Sequence, residues 1–71
     1  MDNYIVFSSV TYAMKGKKHL KKQGISSEIM KTPKQYGFKG CTHCVKFRGS
    51  DPHMHAKSMR ELGIKVLGVA Q

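Results

Sequence analysis

The stretch "NYIVFSS", residues 3–9, passes directly from a strand signal to a helix start. β-Branched and aromatic residues dominate its first part, which predicts strand one. Ser8 and Ser9 close the stretch, and either side chain can accept a hydrogen bond from the first backbone amides of a helix. The stretch therefore predicts a strand followed at once by a helix, and the rest of the fold builds on this unit.

The segment that follows has the spacing of a helix with one apolar stripe. We predict helix one over Val10–Gln23, with Gly16 as a small residue on the side of the stripe and lysines on another face. Gly24 is the residue type that favours a helix C-terminus. The apolar positions of this stripe are Val10, Ala13, Met14 and Leu20.

The remaining segments complete the pattern of a ferredoxin-like domain. They are "ISSEIMKT" (25–32) as strand two, "PKQYGFKG" (33–40) as a loop, "CVKFRG" (44–49) as strand three, a second helix, and "IKVLGVA" (64–70) as strand four. The order β-α-β-β-α-β predicts an α+β fold, in which two helices cover one face of a four-stranded antiparallel sheet. The chain of 71 residues is long enough for a single domain, residues 1–71.

The second helix has a clear start and end in the sequence. Ser50 or Asp51 can cap it, Pro52 suits its first turn, and Gly63 stops it after Leu62. The candidate core residues of this helix are Met54, Met59 and Leu62.

Strand three alternates between apolar and polar side chains. Val45 and Phe47 share one face, whereas Cys44, Lys46 and Arg48 share the other. Because the helices cover one face of the predicted sheet, the face that carries Val45 and Phe47 is expected to form the core.

The composition bounds the class of protein. Thirteen Lys and Arg residues oppose four Asp and Glu, for a net charge of +9, which favours anionic partners or a solvated basic face. No apolar run approaches the roughly 20 residues of a membrane span, and no basic segment precedes the first apolar run. We expect a cytoplasmic protein without a membrane partner, which binds nucleic acid nonspecifically if at all. Its oligomeric state stays open, since a sheet of this kind has edge strands.

The two cysteines lie in "KGCTHC", residues 39–44. In the predicted topology, the loop between strands two and three lies at the same end of the sheet as the start of helix one. Cys41 is therefore expected near Ser8 and Ser9, where the helix dipole favours an anion. Lys39 and Lys46 add positive charge. Such a setting lowers the pKa of a thiol and favours the nucleophilic thiolate.

Other interpretations of the C-x-x-C spacing stay open. Zinc could bind Cys41, Cys44 and His43 together with an outside ligand. His53 and His55 are not expected to join them, because strand three from Cys44 onward separates the two groups by about 13 Å. A disulfide between the two cysteines requires a curled loop. His43 is either a bystander or a group that modulates the pKa of the thiol.

The chain resembles the "putative Se/S carrier protein-like" family over essentially its whole length. The resemblance rests on "YIVFSS" followed by Ala13, on "LKKQGI", "MKTPK" and "RELGIKVLGV", and on a cysteine that enters strand three. Cys41 matches the cysteine of the family and Lys46 its basic position. Thr42 replaces the usual glycine, and Cys44 stands where a small residue is usual.

The resemblance implies a carrier that accepts persulfide or perselenide on Cys41, needs no cofactor, and hands the atom to a partner enzyme. Its partners would be sulfur or selenium donor and acceptor proteins, and the chain would be an accessory protein more than an enzyme. Cys44 is either a resolving thiol or a small strand residue.

Two alternatives come from other functional classes. The first is a metal-binding module that uses Cys41 and Cys44, although heavy-metal-associated domains of this fold carry C-x-x-C between strand one and helix one, where this chain has "SSVT". The second is a basic nucleic-acid-binding module, which would stack bases on aromatic side chains of strands one and three. Phe47 shares a face with Val45, and it therefore fits the core better than a stacking role.

Overall fold

The computed structural model describes residues 2–33, 42–49 and 51–70. The elements follow the predicted order, which confirms the β-α-β-β-α-β reading. They are β1 (Asp2–Phe7), α1 (Val10–Lys22), β2 (Ser27–Lys31), β3 (His43–Arg48), α2 (Pro52–Glu61) and β4 (Val66–Ala70). No helix of this described part is long and apolar enough to cross a membrane.

The four strands form one antiparallel sheet in the order β2-β3-β1-β4. The first strand of the chain lies in the interior of the sheet, where Phe7 pairs with His43 of β3 and with Val66 of β4. β2 and β4 form the two edges. This arrangement is the predicted ferredoxin-like sheet.

Alternate residues of the strands build the core beneath the two helices. Val45 and Phe47 are buried there with Ile5 and Phe7, which confirms the predicted alternation of strand three. The remaining members of this cluster are Ala13, Leu20, Ala56, Met59, Ile64 and Val66.

The buried stripe of α1 is narrower than its apolar pattern suggests. Leu20 is fully buried, but Val10 and Met14 are 45% and 60% exposed, so these two positions of the predicted stripe do not lie in the core. Met14 lies about 120° around the helix axis from Leu20, at 100° per residue. The helix approaches the sheet through Gly16, whose small size allows the ring of Phe7 to pack against it, and the flanks of the helix stay outside.

The buried face of α2 also differs from its apolar pattern. Met59 is buried as predicted, whereas Met54 and Leu62 are 56% and 65% exposed. The inner position that apolarity alone missed is His55, which is 6% exposed. Its ring packs edge-on against Phe47, with 5.7 Å between the ring centroids. This aromatic contact stabilises a histidine in the core.

Both helices end in the same way. Gly24 and Gly63 follow the helix ends with φ of 77° and 82°, the left-handed conformation that glycine adopts without strain. The next residue then donates its N–H back into the helix, from Ile25 to Leu20 and from Ile64 to Met59, each at 2.9 Å. This is the hydrogen bond of a Schellman ending, and it confirms both predicted stops.

Candidate functional site

Several chain segments meet at one end of the sheet, where β1 ends and β3 begins. Lys31, the last residue of β2, pairs with His43, the first residue of β3. One residue further out, the N–H of Thr32 donates to the carbonyl oxygen of Thr42 at 3.1 Å. The start of β4 joins the same end, since Val66 pairs there with the end of β1.

Cys41 and Lys39 lie outside the described residues. Thr42, the residue bonded to Cys41, is 8% exposed and lies at this end of the sheet. Thr42 therefore brings the described chain to the end of the sheet at which α1 also starts.

The start of α1 is capped by Ser9, one of the two predicted candidates. The Oγ of Ser9 accepts the N–H of Tyr12 at 3.4 Å, and its carbonyl accepts the N–H of Ala13 at 3.1 Å. Ser8 is exposed and precedes the cap. The first turn of α1 contains no acidic residue, so no carboxylate within that turn offsets the partial positive charge of the helix end.

Cys44 lies inside the sheet, in a different environment. Its side chain is a fully buried free thiol on the face opposite the helices, next to Val6 of β1 and Met30 of β2 in the strand register. Burial raises the pKa of the Cys44 thiol, and the hydroxyl of Thr32 opposes this rise only in part. The protonated thiol is the favoured form in this position.

His43 and Cys44 project to opposite faces, because neighbouring residues of a strand alternate. His43 faces the helices, and its Nδ1 is buried without a hydrogen-bond partner among the described residues. The two side chains therefore cannot converge on one metal ion. The described ranges contain no cluster of three or more His, Cys, Asp or Glu suited to a metal.

Lys46 lies toward the other end of β3. Its Nζ is 3.6 Å from Asp2, which also accepts a hydrogen bond from Arg48 at 2.9 Å. The hydrogen bond from Arg48 is the main cause that lowers the pKa of Asp2. Four strand residues, or about 13 Å, separate Lys46 from Thr42, so the structure does not bring Lys46 together with Ser9.

Two other lysines lie at the end of the sheet where β1 ends and β3 begins. Lys31 pairs with His43, and Lys65 immediately precedes β4; both are exposed. The sequence alone did not single them out because the chain has many lysines. The strand register shows that these two lie at this end of the sheet. The signal that could have found them is their place at the end of strand two and the start of strand four.

The histidines of α2 are remote from this end. His53 is exposed in the first turn of the helix, where its N–H donates to the Asp51 carboxylate at 3.0 Å. His55 lies in the core, where burial lowers the pKa of its imidazole and the nearby His19 lowers it further. Neither lies near Thr42, which agrees with the expected separation of about 13 Å along strand three.

The aromatic residues of the central strands do not form a stacking surface. Phe7 and Phe47 are 0% and 3% exposed and belong to the core. Tyr4 alternates with them and faces the opposite side of the sheet. Within the described residues, no second aromatic side chain of β1 or β3 accompanies Tyr4 on that face.

Comparisons with known proteins give one result. The model of a family described as "Putative Se/S carrier protein-like" matches residues 2–71. No curated protein and no solved structure matches the chain.

Proposed function

This chain belongs to the "Putative Se/S carrier protein-like" family, and we propose that it accepts sulfur or selenium on Cys41 and hands it to a partner enzyme. The bound form is a persulfide or a perselenide. The partners are the donor and acceptor proteins, and the chain itself is an accessory protein in this exchange.

The observation that supports Cys41 most directly is the position of Thr42. A peptide bond holds the Cα atoms of neighbouring residues about 3.8 Å apart, and Thr42 lies at the sheet end where α1 starts. The start of α1, whose first turn has no acidic residue, favours an anion there together with Lys31 and Lys65. A thiolate and a persulfide are both anions that this positive region would stabilise.

The transfer is an exchange of sulfur between thiols. The Cys41 thiolate attacks the outer sulfur of the persulfide on the donor, and a new S–S bond forms as the S–S bond of the donor breaks. The donor cysteine leaves as a thiolate and takes up a proton. Discharge repeats the same step with a thiolate of the acceptor, so no external oxidant, reductant or cofactor is needed.

In this proposal Cys44 has a structural role. Discharge by Cys44 would require its thiolate to attack the inner sulfur of Cys41, which would form a disulfide and release the outer sulfur as sulfide. The Cys44 thiol is fully buried, and its pKa is raised, so the reactive form is disfavoured. The zinc alternative loses support for a separate reason, since His43 projects away from Cys44.

The experiment is sulfur loading followed by intact-protein mass. Incubation of the reduced protein with a cysteine desulfurase and cysteine should add the mass of one sulfur atom, which reductant removes. Cys41→Ser should not load. The matched variant Cys44→Ala should load and discharge like the wild type.

Two results would contradict the proposal. The first is loading that persists in Cys41→Ser. The second is a wild type that never loads and instead retains a stoichiometric metal, which both cysteine variants lose. A selenium donor in place of cysteine extends the same readout to perselenide.

A further inference from the structure

A groove runs along the molecule between α1 and the edge strand β2. It encloses about 720 Å³, and its lining residues are Met14, Lys17, Lys18, Lys21, Lys22 and Ile29. A smaller cavity continues it past Lys17 and Lys21 toward Ser27. We call this combined feature the α1–β2 groove.

The α1–β2 groove carries a dense positive charge. Its four lysines are exposed on a helix that contains no acidic residue. Among the described residues, the ion pairs all involve Asp2, which lies on β1. Glu28 lies on neighbouring β2, but strand alternation directs its side chain to the sheet face opposite α1. The lysines therefore face solvent without a carboxylate partner in the described part of the chain.

The other wall of the groove is an open strand edge. The N–H of Thr32 points toward β3, where it donates to Thr42. Because inward and outward residues alternate along an antiparallel strand, the backbone N–H and C=O groups of Ser27, Ile29 and Lys31 point away from β3. In the described sheet β2 has no neighbour on that outer side. The side chain of Ile29 meanwhile lies partly buried beside the helix.

We propose that the α1–β2 groove binds an extended acidic segment of a partner protein, which adds a strand along the outer edge of β2. The outward backbone groups of β2 supply main-chain hydrogen bonds. The alternate side chains of the segment that point toward α1 are acidic, so their carboxylates pair with Lys17 and Lys21 while their methylene groups pack on Met14 and Ile29. The segment is therefore acidic, alternating and extended.

The same features disfavour two other occupants. A single-stranded nucleic acid would gain from aromatic stacking, and the described residues that line the groove include no aromatic ring. A second copy of this chain, paired through β2, would bring two lysine-rich α1 helices toward each other in a protein of net charge +9. Charge complementarity therefore points to an acidic protein segment.

The groove leads toward the candidate site. β2 ends at Lys31, beside the start of β3, so a segment added along β2 would extend to the end of the sheet where Thr42 lies. If the chain is a sulfur carrier, the occupant is a donor or acceptor of that sulfur; this identification alone rests on the proposed function. A five-residue edge buries little area, and such small contacts suit a transient partner.

A capped synthetic peptide of alternating valine and glutamate tests the docking, with binding followed by fluorescence anisotropy at low and physiological salt. We expect saturable binding that weakens as salt screens the charges. Lys17→Glu combined with Lys21→Glu should weaken binding at least tenfold. The matched control is Lys15→Glu with Lys57→Glu, which changes charge equally outside the groove and should lower affinity much less.

Strand addition has its own pair of variants. Lys31→Pro and Lys31→Thr both remove the charge, but only proline removes the outward N–H; the ladder to β3 does not use that group. Lys31→Pro should bind the peptide several-fold more weakly than Lys31→Thr. A peptide N-methylated on the edge that faces β2 should also lose binding, a measurement that does not depend on the fold of a variant.

Four results would overturn the docking proposal. They are undiminished binding of the N-methylated peptide, equal effects of the two double lysine variants, tighter binding of single-stranded RNA with the same lysine dependence, and a wild-type dimer that Lys31→Pro dissociates. The assay contains no sulfur donor. A failure of sulfur loading at Cys41 would therefore leave the docking result intact, and the reverse also holds.

Discussion

The substitution Gly16→Ala has two opposite effects on stability. Alanine has the higher helix propensity, but its methyl group would overlap the ring of Phe7. A Cβ atom at position 16 would lie 2.4 Å from Cζ of Phe7, and 3.1 and 3.2 Å from its two Cε atoms. Carbon atoms in favourable contact are about 3.5–4.0 Å apart. The ring would have to retreat by about 1 Å, yet Phe7 is fully buried on an interior strand of the sheet.

The two effects have opposite signs and unequal sizes. Alanine in place of glycine within a helix stabilises by about 1 kcal/mol, whereas overpacking of a closed core costs about 1–3 kcal/mol, occasionally more. The very short approach to Phe7 places the cost in the upper part of that range, about 2–3 kcal/mol, so we expect Gly16→Ala to lower the free energy of unfolding by about 1–2 kcal/mol. For a domain of this size, that loss corresponds to a Tm lower by roughly 5–15 °C.

The assay is thermal and urea unfolding of four proteins that form a double-mutant cycle. Phe7→Leu removes the ring atoms that the new methyl group would meet, so in that background Gly16→Ala should be neutral or stabilising. The cycle should therefore show a strong coupling between the two positions. A higher Tm for Gly16→Ala alone, or an equal loss in both backgrounds, would refute the packing argument.

Three further predictions concern the cap, the core histidine and the buried thiol. Ser9→Ala should lower the free energy of unfolding by about 1 kcal/mol in urea titrations, because it removes the cap of α1, whereas Ser8→Ala should have little effect. His55 has a pKa below its ordinary value of about 6.5 in the folded state, so the unfolded chain takes up the proton first. The free energy of unfolding should be highest above about pH 6.5 and should decline as pH falls below that value; His55→Leu should flatten this decline between pH 7.5 and 5.5. Cys44 should resist alkylation until denaturant unfolds the protein, and rapid labelling under native conditions, mapped by mass, would contradict its burial.

Local sequence signals were sufficient to predict the order of elements. Ser9 and Asp51 cap the two helices, and Gly24 and Gly63 end them. Each of these signals depends on backbone geometry within a few residues. The alternation of strand three is equally local, because strand side chains change face at every residue.

The composition of the core depended on how each helix lies against the sheet. Met14 and Met54 have the hydrophobicity of core residues but lie on outer flanks. His55 is polar but lies over Phe47. The close approach at Gly16 determines which narrow stripe of α1 is buried, and that approach follows from the size of a side chain on another strand, which helix periodicity does not contain.

The candidate site shows the same division. Topology predicted that the residues before strand three share a sheet end with the start of helix one, and the positions of Ser9 and Thr42 agree with this. The role of Cys41 stays a prediction. Lys46 was proposed from its distance along the sequence, whereas the strand register pairs it with Tyr4 and brings it near Asp2. Register is a property of two strands together, so a reading of one strand cannot supply it.

The two edges of the sheet differ in a way that bears on partner choice. At the β4 edge, Arg60 reaches across from α2, and its Nη2 lies 3.5 Å from the carbonyl oxygen of Val66; the pairing of β4 with β1 also shifts register between Val6 and Phe7. A charged side chain over an edge and an irregular ladder both discourage strand addition. β2 pairs with β3 in unbroken register from Ser27 to Lys31, and the helix beside it offers lysines instead of covering the edge. An incoming acidic strand should therefore add to β2 and not to β4, because only β2 combines a regular row of outward backbone groups with complementary charge.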